Sequence, residues 1–322
     1  MLRIGLLGAS RISVGAVIEP ARVNQGAAVT GVAARDPSRA RNFAVQHGIP
    51  RVFEDYDALI TSSDIDIVYN GLPPSSHKPW AVAALRAGKA VLCEKPFAMN
   101  VDEAREMVDA ATETGNCLIE AFHYRFHPFF LRILDIVQSG ELGTIERANA
   151  HFNVPIRFSS TELRYQPELG GGALMDLGVY PLHWLRTLFG AEPQVTDATS
   201  VIHGTGVDLS TSGTLEFPDG SRASFSTSMD ETLPDRLDTG IELIGSKGTL
   251  VAENPLAPHI GNQLRWTGAR EPWSFEGHPT YYYQLGHVLS VLQGEQPQVT
   301  GGRDAVATMH LVDAVKRTAL NN

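Results

Sequence analysis

The sequence predicts an α/β protein in two parts: a doubly wound parallel sheet, then an α+β part built on an open, mainly antiparallel sheet. Three observations predict it. Short apolar runs alternate with helix-length segments over residues 1–122, the order a parallel sheet requires. From Ile145 onward the runs alternate apolar and polar and meet at turn clusters, Pro218-Asp219-Gly220 and Gly245-Ser246-Lys247-Gly248, as in antiparallel hairpins with one open face. Between the two, the texture changes to the aromatic and cationic stretch His123–Pro128, so the division is read at 1–122 and 123–322.

Leu2–Leu7 is an apolar strand, followed by Gly8-Ala9-Ser10-Arg11-Ile12 and a small-residue helix. Such a turn sets backbone N–H groups and a helix N-terminus against a pyrophosphate. Ser10 stands where a second glycine is usual, adding a hydroxyl donor at some loss of closeness. Taken alone, a glycine here also serves plain turn geometry. The order that follows carries more weight: strand Ala27–Ala34, helix Pro37–His47, strand Ile49–Phe53, helical turn Tyr56–Thr61, strand Ile65–Asn70, helix Lys78–Ala87, strand Ala90–Cys93, helix Val101–Thr114 and strand Cys117–Ala121. That is the pattern of a Rossmann domain.

The end of the second strand bears on the cofactor. A carboxylate there holds a free adenosine ribose and selects NAD, whereas arginine accommodates a 2′-phosphate. Arg35, with Arg39 and Arg41 close behind, favours NADP; Asp36 is the complication, and a solvated helix start is the alternative reading. The loop Asn70–His77 is stiffened by Pro73 and Pro74, suited to packing beside a flat ring, and His77 either caps the next helix or contacts the cofactor.

Lys89–Phe97 reads KAVLCEKPF. Its strand ends in Glu94-Lys95-Pro96, at the sheet rim where open α/β sheets bind ligands. Pro96 lacks an N–H and restricts the residue before it to extended geometry. Lys95 is thereby placed to hydrogen-bond a substrate oxygen; the plain alternative is a lysine pointing into solvent.

In the second part, Phe129–Ser139 is an apolar-periodic helix, and strands are read at Ile145–Val154, Val195–His203, Leu209–Phe217, Ser221–Met229, Thr239–Ile244 and Thr249–Val251. The run from Gly170 to Trp184 interrupts them. If Ala173–Phe189 is helical, Asp176, Tyr180 and His183 fall within about 60° of one another at about 100° per residue. A carboxylate, a phenol and an imidazole on one stripe suit acid/base chemistry better than a core, where each needs a partner. Pro181 should kink the helix near Leu177. A Tyr and a His bonded to the sheet beneath are the alternative. Arg164 and Tyr165 read as a surface loop, with substrate contact the second choice. Asp176 and His183, with His151 or His123, lack the HExxH or Cys-pair spacing of a metal site, so no metal is expected.

Composition narrows the partners. The net charge of −10, from 26 Lys+Arg against 36 Asp+Glu, disfavours nucleic acid and anionic membrane. Cys93 and Cys117 form no disulfide framework, which fits a reducing cytoplasm. Met1–Pro20 is apolar, but its glycine spacing and Arg11 fit a nucleotide turn better than a signal peptide.

On these residues the chain resembles the family of glucose–fructose oxidoreductase, inositol dehydrogenase and the rhizopine-catabolism protein MocA. The likeness spans nearly the whole length: Gly5–Ile12, Ala84–Lys89 leading into Glu94-Lys95-Pro96, Tyr124–Pro128, and the Gly170–Tyr180 run. The resemblance implies a Rossmann domain with a C-terminal domain whose open sheet forms homodimers or homotetramers. Lys95 would then be the motif lysine and Asp176 the motif aspartate. Tyr180 stands where the inositol-dehydrogenase branch has its catalytic histidine. A tyrosine there is similar to the branch of dimeric dihydrodiol dehydrogenase and glucose–fructose oxidoreductase, in which it exchanges the proton; those relatives favour NADP. No long N-terminal export segment is seen.

The expectation is thus an NADP-dependent oxidoreductase, with NAD possible, acting on a sugar, polyol or related diol. Tyr180 exchanges the proton, Lys95 assists, Asp176 orients a hydroxyl and His183 lines the pocket. The cofactor set is Gly8, Ser10, Arg11, Ile12, Arg35, Arg39, Pro73, His77, Glu94 and Lys95. An unperturbed phenol near pKa ~10 is a poor base, hence the need for a nearby cation. A glycoside hydrolase using transient NAD redox and a non-catalytic dinucleotide sensor are the competing readings.

Overall fold

Leu2–Leu7 (β1) is apolar because both of its faces are covered: Ile4, Leu6 and Leu7 are at most 1% exposed. In the computed structural model, which describes residues 1–321, it pairs in parallel with β2 (Ala27–Ala33) on one side and β4 (Ile67–Asn70) on the other. With β3 (Arg51–Val52), β5 (Ala90–Cys93) and β6 (Leu118–Glu120) the strand order is β3-β2-β1-β4-β5-β6. The order reverses between β1 and β4, the topological switch point at which such sheets take their ligands.

The helices of this sheet are α1 (Arg11–Ser13), running through a π-helical turn, Val14–Ile18, into α2 (Glu19–Val23), then α3 (Pro37–His47), α4 (Tyr56–Ile60), α5 (His77–Arg86) and α6 (Val101–Thr114). Their starts follow local rules. Asp36 caps α3 with Pro37 in its first turn, and Asn100 caps α6 by accepting from Glu103 N at 2.9 Å.

The remaining elements are α7 (Pro128–Gln138), β7 (Ile145–Asn153), a π-helical turn Leu174–Gly178 leading into α8 (Val179–Phe189), β8 (Gln194–Ile202), β9 (Asp208–Glu216), β10 (Arg222–Ser228), β11 (Asp238–Gly245), β12 (Gly248–Glu253), β13 (Gln263–Trp266), α9 (Thr280–Leu292) and α10 (Arg303–Asn321). The second sheet has the order β13-β12-β11-β7-β10-β9-β8 and is antiparallel except where β10 runs parallel to β7. Strand β7 alternates as a one-sided sheet should: Ala148, Ala150 and Phe152 are buried while Asn149 and His151 face outward. The outward face holds a groove of about 920 Å³, lined by His151, Asp238, Glu242, Glu253 and Asn262 among others, and none of Lys95, Asp176, Tyr180 or His183 lines it.

The chain divides into two compact units, Met1–His123 with Tyr281–Val306, and Tyr124–Thr280 with the segment from Ala307 onward. The first unit thus takes in a late segment, residues 281–306, as well as residues 1–123. Leu285, Val288 and Leu289 of α9 pack with Ile4, Leu6, Ala27 and Ile119, so this late segment completes the first unit's core. The sequence reading ends its elements at Val251 and does not anticipate β13, α9 or α10. Both cysteines are free, and burial pushes the Cys93 thiol well up, which keeps it unreactive. Among the described residues no helix is long and apolar enough to cross a membrane.

Candidate functional site

In the first unit, Gly8 has φ +92°, a conformation that favours glycine, and its N–H donates to Ala33 O at 2.8 Å. Ser10 precedes α1 without a side-chain cap; its hydroxyl turns instead to Ser13 Oγ at 2.5 Å. The first N–H groups of this helix are thus left uncapped by a side chain, which is the condition for anion binding. Arg11 and Ile12 are exposed on that first turn. At the end of β2, Asp36 accepts from Ser38 N (2.8 Å), Ser38 Oγ (2.6 Å) and Arg39 N (3.4 Å), and the Ser38 hydroxyl leads the bonds that hold its carboxyl below the usual range. Oδ1 of this carboxylate caps α3. Arg35 beside it is exposed, and Arg39 Nη2 donates to Ala9 O at 3.0 Å, tying α3 to the glycine turn.

His77 is fully buried, with Nε2 at 2.7 Å from Leu72 O and Nδ1 at 3.0 Å from Pro96 O. Burial holds its pKa below the usual value, so the ring is neutral and donates through one nitrogen only. Both ring nitrogens are turned to backbone, so His77 joins the Pro73 loop to the loop after Lys95. Asn70 Nδ2 donates to His77 O at 3.1 Å, while Asn70 Oδ1 is buried at the rim of β4 with no partner among the described residues.

Glu94 Oε1 accepts from Tyr69 OH at 2.8 Å, and Oε2 accepts from Lys95 N at 3.3 Å. Burial, then the charge of Glu94, push the Tyr69 phenol well up, so it remains a donor. Lys95 is half-buried and joined to Pro96 by a cis peptide bond.

In the second unit the glycine run has distinct local duties. A Cβ on Gly171 would lie 2.6 Å from Arg164 O, and one on Gly172, at φ +111°, would lie 2.2 Å from Asp208 Oδ1. Asp208, from β9, accepts from Leu174 N at 2.8 Å and so caps the helix from a distance in sequence. Pro181 cannot donate to Leu177 O, and the chain widens into the π turn just before it, Val179 N reaching back to Leu174 O.

That wider turn alters the single stripe expected of an ideal helix. Asp176 turns to Arg164, whose Nε donates to its Oδ2 at 2.6 Å. Tyr180 and His183 share a different neighbour, Tyr124. The Tyr124 hydroxyl is hydrogen-bonded to His183 Nδ1, and the Tyr180 ring sits 6.1 Å from Tyr124 and 5.6 Å from Phe152. Tyr180 and His183 are 3% and 1% exposed. Tyr124 and Arg164 are the residues that sequence reasoning undervalued. The aromatic and cationic stretch His123–Pro128 is the available signal for the first, and the second reads in sequence as a surface loop with substrate contact as the lesser choice.

The first unit fits a dinucleotide: a glycine turn at the switch point, an uncapped helix start for a pyrophosphate, and an orphaned carboxamide oxygen at Asn70 for a donor. Together with its second sheet the chain has the architecture of a two-part nicotinamide-dependent oxidoreductase. Residues 2–122 match the oxidoreductase family with an NAD-binding Rossmann fold, and residues 130–251 match the GFO/IDH/MocA C-terminal domain. The D-xylose 1-dehydrogenase (NADP(+)) 2 of Haloferax volcanii is 32% identical over 326 residues, 99% of this chain and 97% of that one. The trans-1,2-dihydrobenzene-1,2-diol dehydrogenase of Mus musculus is 35% identical over 275 residues, 82% of this chain and 80% of that one. KijD10, a 3-ketoreductase from Actinomadura kijaniata solved with NADP and TDP-benzene, superimposes with a TM-score of 0.87 at 28% identity, over 98% of this chain and 97% of that one. The chain belongs to the Gfo/Idh/MocA family of NAD(P)-dependent oxidoreductases.

Proposed function

We propose that the protein is an NADP-dependent oxidoreductase interconverting a secondary alcohol, or sugar hemiacetal, and its carbonyl in a sugar, polyol or related diol. The observation that carries this reading is the pair of placements on the helix after the glycine run. A buried phenol, Tyr180, packs against the Tyr124–His183 pair, and a carboxylate, Asp176, is held by an arginine. NADP is favoured over NAD because Asp36 turns Oδ1 to the start of α3 and the exposed Arg35 beside it suits a 2′-phosphate.

Gly8, Ser10, Arg11 and Ile12 would receive the pyrophosphate, Arg35 and Arg39 the adenosine end, and Pro73, Glu94 and Lys95 the nicotinamide end, with His77 holding the last two loops together. The nicotinamide, when bound, supplies or takes up the hydride. Tyr180 exchanges a proton with the reacting oxygen, Lys95 donates a hydrogen bond to that oxygen as charge develops on it, and Asp176 accepts from a neighbouring hydroxyl. His183, bonded to Tyr124, fixes the aromatic wall behind Tyr180. The outward face of the second sheet is proposed as the surface for a homodimer or homotetramer, checked by light scattering.

The test is a titration with NADPH and NADH, followed by a sugar, polyol and diol panel read by reduced-nicotinamide absorbance. Net turnover with NADPH supports the reading; Tyr180→Phe should then lower kcat by about 10²–10⁴-fold and leave NADPH affinity unchanged. Tight cofactor binding without net turnover, joined by glycoside cleavage, overturns it in favour of a hydrolase.

A further inference from the structure

Helix α10 is anchored at two points to the helix that carries Asp176 and Tyr180. Thr308 and Lys316 stand on one face of α10, with the buried Val312 midway between them. Thr308 Oγ1 accepts from Arg186 Nη1 of α8 at 2.7 Å, and Lys316 Nζ donates to Met175 Sδ in the π turn at 3.1 Å. Eight residues separate the two anchors, about 12 Å along the helix at 1.5 Å per residue. Together they fix both the slide and the rotation of α10 against its neighbour.

Methionine is an unusual acceptor for an ammonium. A thioether sulfur accepts weakly, and Met175 is 2% exposed, so Lys316 gives up water for little in return. An apolar side chain of similar length would fill the half-buried slot at less cost. Burial, ahead of the opposing charges of Asp313 and Asp208, lowers the Lys316 pKa, the mark of an ammonium that weakens the fold. What the ammonium supplies is placement. It lies within the field of Asp208, whose Oδ2 accepts from Leu174 N at 2.8 Å, and it touches the residue just before Asp176. The cap and the turn are thus tied to one charge on a third element.

We propose that Lys316 is a positioning residue: through Met175 and Asp208 it sets the register of the π turn, and so the placement of Asp176 and Tyr180, at a cost to stability. This rests on the oxidoreductase reading above and adds α10 to the parts on which turnover depends. Lys316 acts through the turn and not on the substrate or the cofactor. Removing its charge should therefore slow turnover without loosening the fold.

The experiment compares wild type with Lys316→Met and Lys316→Arg, reading kcat, KM, Tm and, by fluorescence, NADPH affinity. Lys316→Met should lower kcat by about tenfold to a hundredfold, the scale of a small misplacement of reacting groups. KM and NADPH affinity should stay within about threefold of wild type, and Tm should hold or rise. A purely structural lysine would not set kcat and Tm in opposition, since its loss lowers both. Lys316→Arg, which keeps the charge, should recover part of the lost kcat. Should Lys316→Met fail to fold, Lys316→Gln takes its place under the same criteria. An unchanged kcat, or a kcat that falls together with Tm, overturns this inference alone. A wild type that turns over no sugar, polyol or diol overturns it together with the reading on which it rests.

Discussion

At the scale of single residues, the cofactor preference turns on how two neighbours divide their work. Asp36 looks in sequence like a ribose-binding acid, yet its Oδ1 accepts from both Ser38 and Arg39. Arg35 is left facing outward. Arg35→Ala should weaken NADPH binding by about tenfold or more, the worth of a charge-assisted hydrogen bond, and barely alter NADH binding; equal losses for both cofactors would contradict the assignment. The candidates Lys95, Asp176 and Tyr180 stand out in the sequence because short motifs carry them: a lysine before a proline at a strand end, and a carboxylate and a phenol four apart after a glycine run. Partners distant in sequence were not legible. Tyr124 and His183 are 59 residues apart, and Asp208 and Leu174 are 34 apart. Only the folded sheet brings them together. His77 was open to two readings for the same reason, since its carbonyl partners lie on loops whose course the sequence does not disclose.

At the scale of elements, the helix carrying Asp176 and Tyr180 departs from ideal geometry at a place the sequence marks. Pro181 announces a kink, and the structure answers with a π turn at Leu174–Gly178. The helix start then depends on β9, because Asp208 both caps Leu174 N and accepts from Thr211 Oγ1 at 2.7 Å. Gly172→Ala places a Cβ against Asp208 Oδ1 in a backbone conformation alanine rarely adopts, and should cost about 2–4 kcal/mol in chemical denaturation. Asp208→Ala, which removes only the cap, should cost about 1 kcal/mol. Combining the two should cost less than their sum, since both act on one contact. The strands of the first sheet were read nearly to their ends, as apolar runs buried on both faces leave few alternatives. Strand β13 and helix α9 were missed because a four-residue strand and a Tyr281-Tyr282-Tyr283 start lack clear periodicity.

At the scale of the whole molecule, acid should destabilise the protein well before its carboxylates titrate. His127 is buried, its Nδ1 accepts from Phe129 N at 3.1 Å at the head of α7, and burial lowers its pKa to about 4. His77 is lowered by burial too. In the unfolded chain both take up protons near pH 6.5, so below that value the unfolded state binds more protons than the native one. The stabilisation is complete above about pH 6.5 and is lost as the pH falls toward 4, amounting to roughly 3 kcal/mol for His127. Thermal melts from pH 7 to pH 4 should show a falling Tm, with a shallower fall in His127→Gln. A flat profile would contradict this account.

The return of residues 281–306 to the first unit has a consequence for how the protein is made. The core that holds Ile4, Leu6 and Ile119 is completed by Leu285, Val288 and Leu289, which leave the ribosome long after the six strands do. At roughly 5–20 residues per second, the parallel sheet waits on the order of ten to thirty seconds for its last covering helix. Throughout synthesis, one apolar flank of the nascent dinucleotide domain stays open to water and to its neighbours on the same polysome.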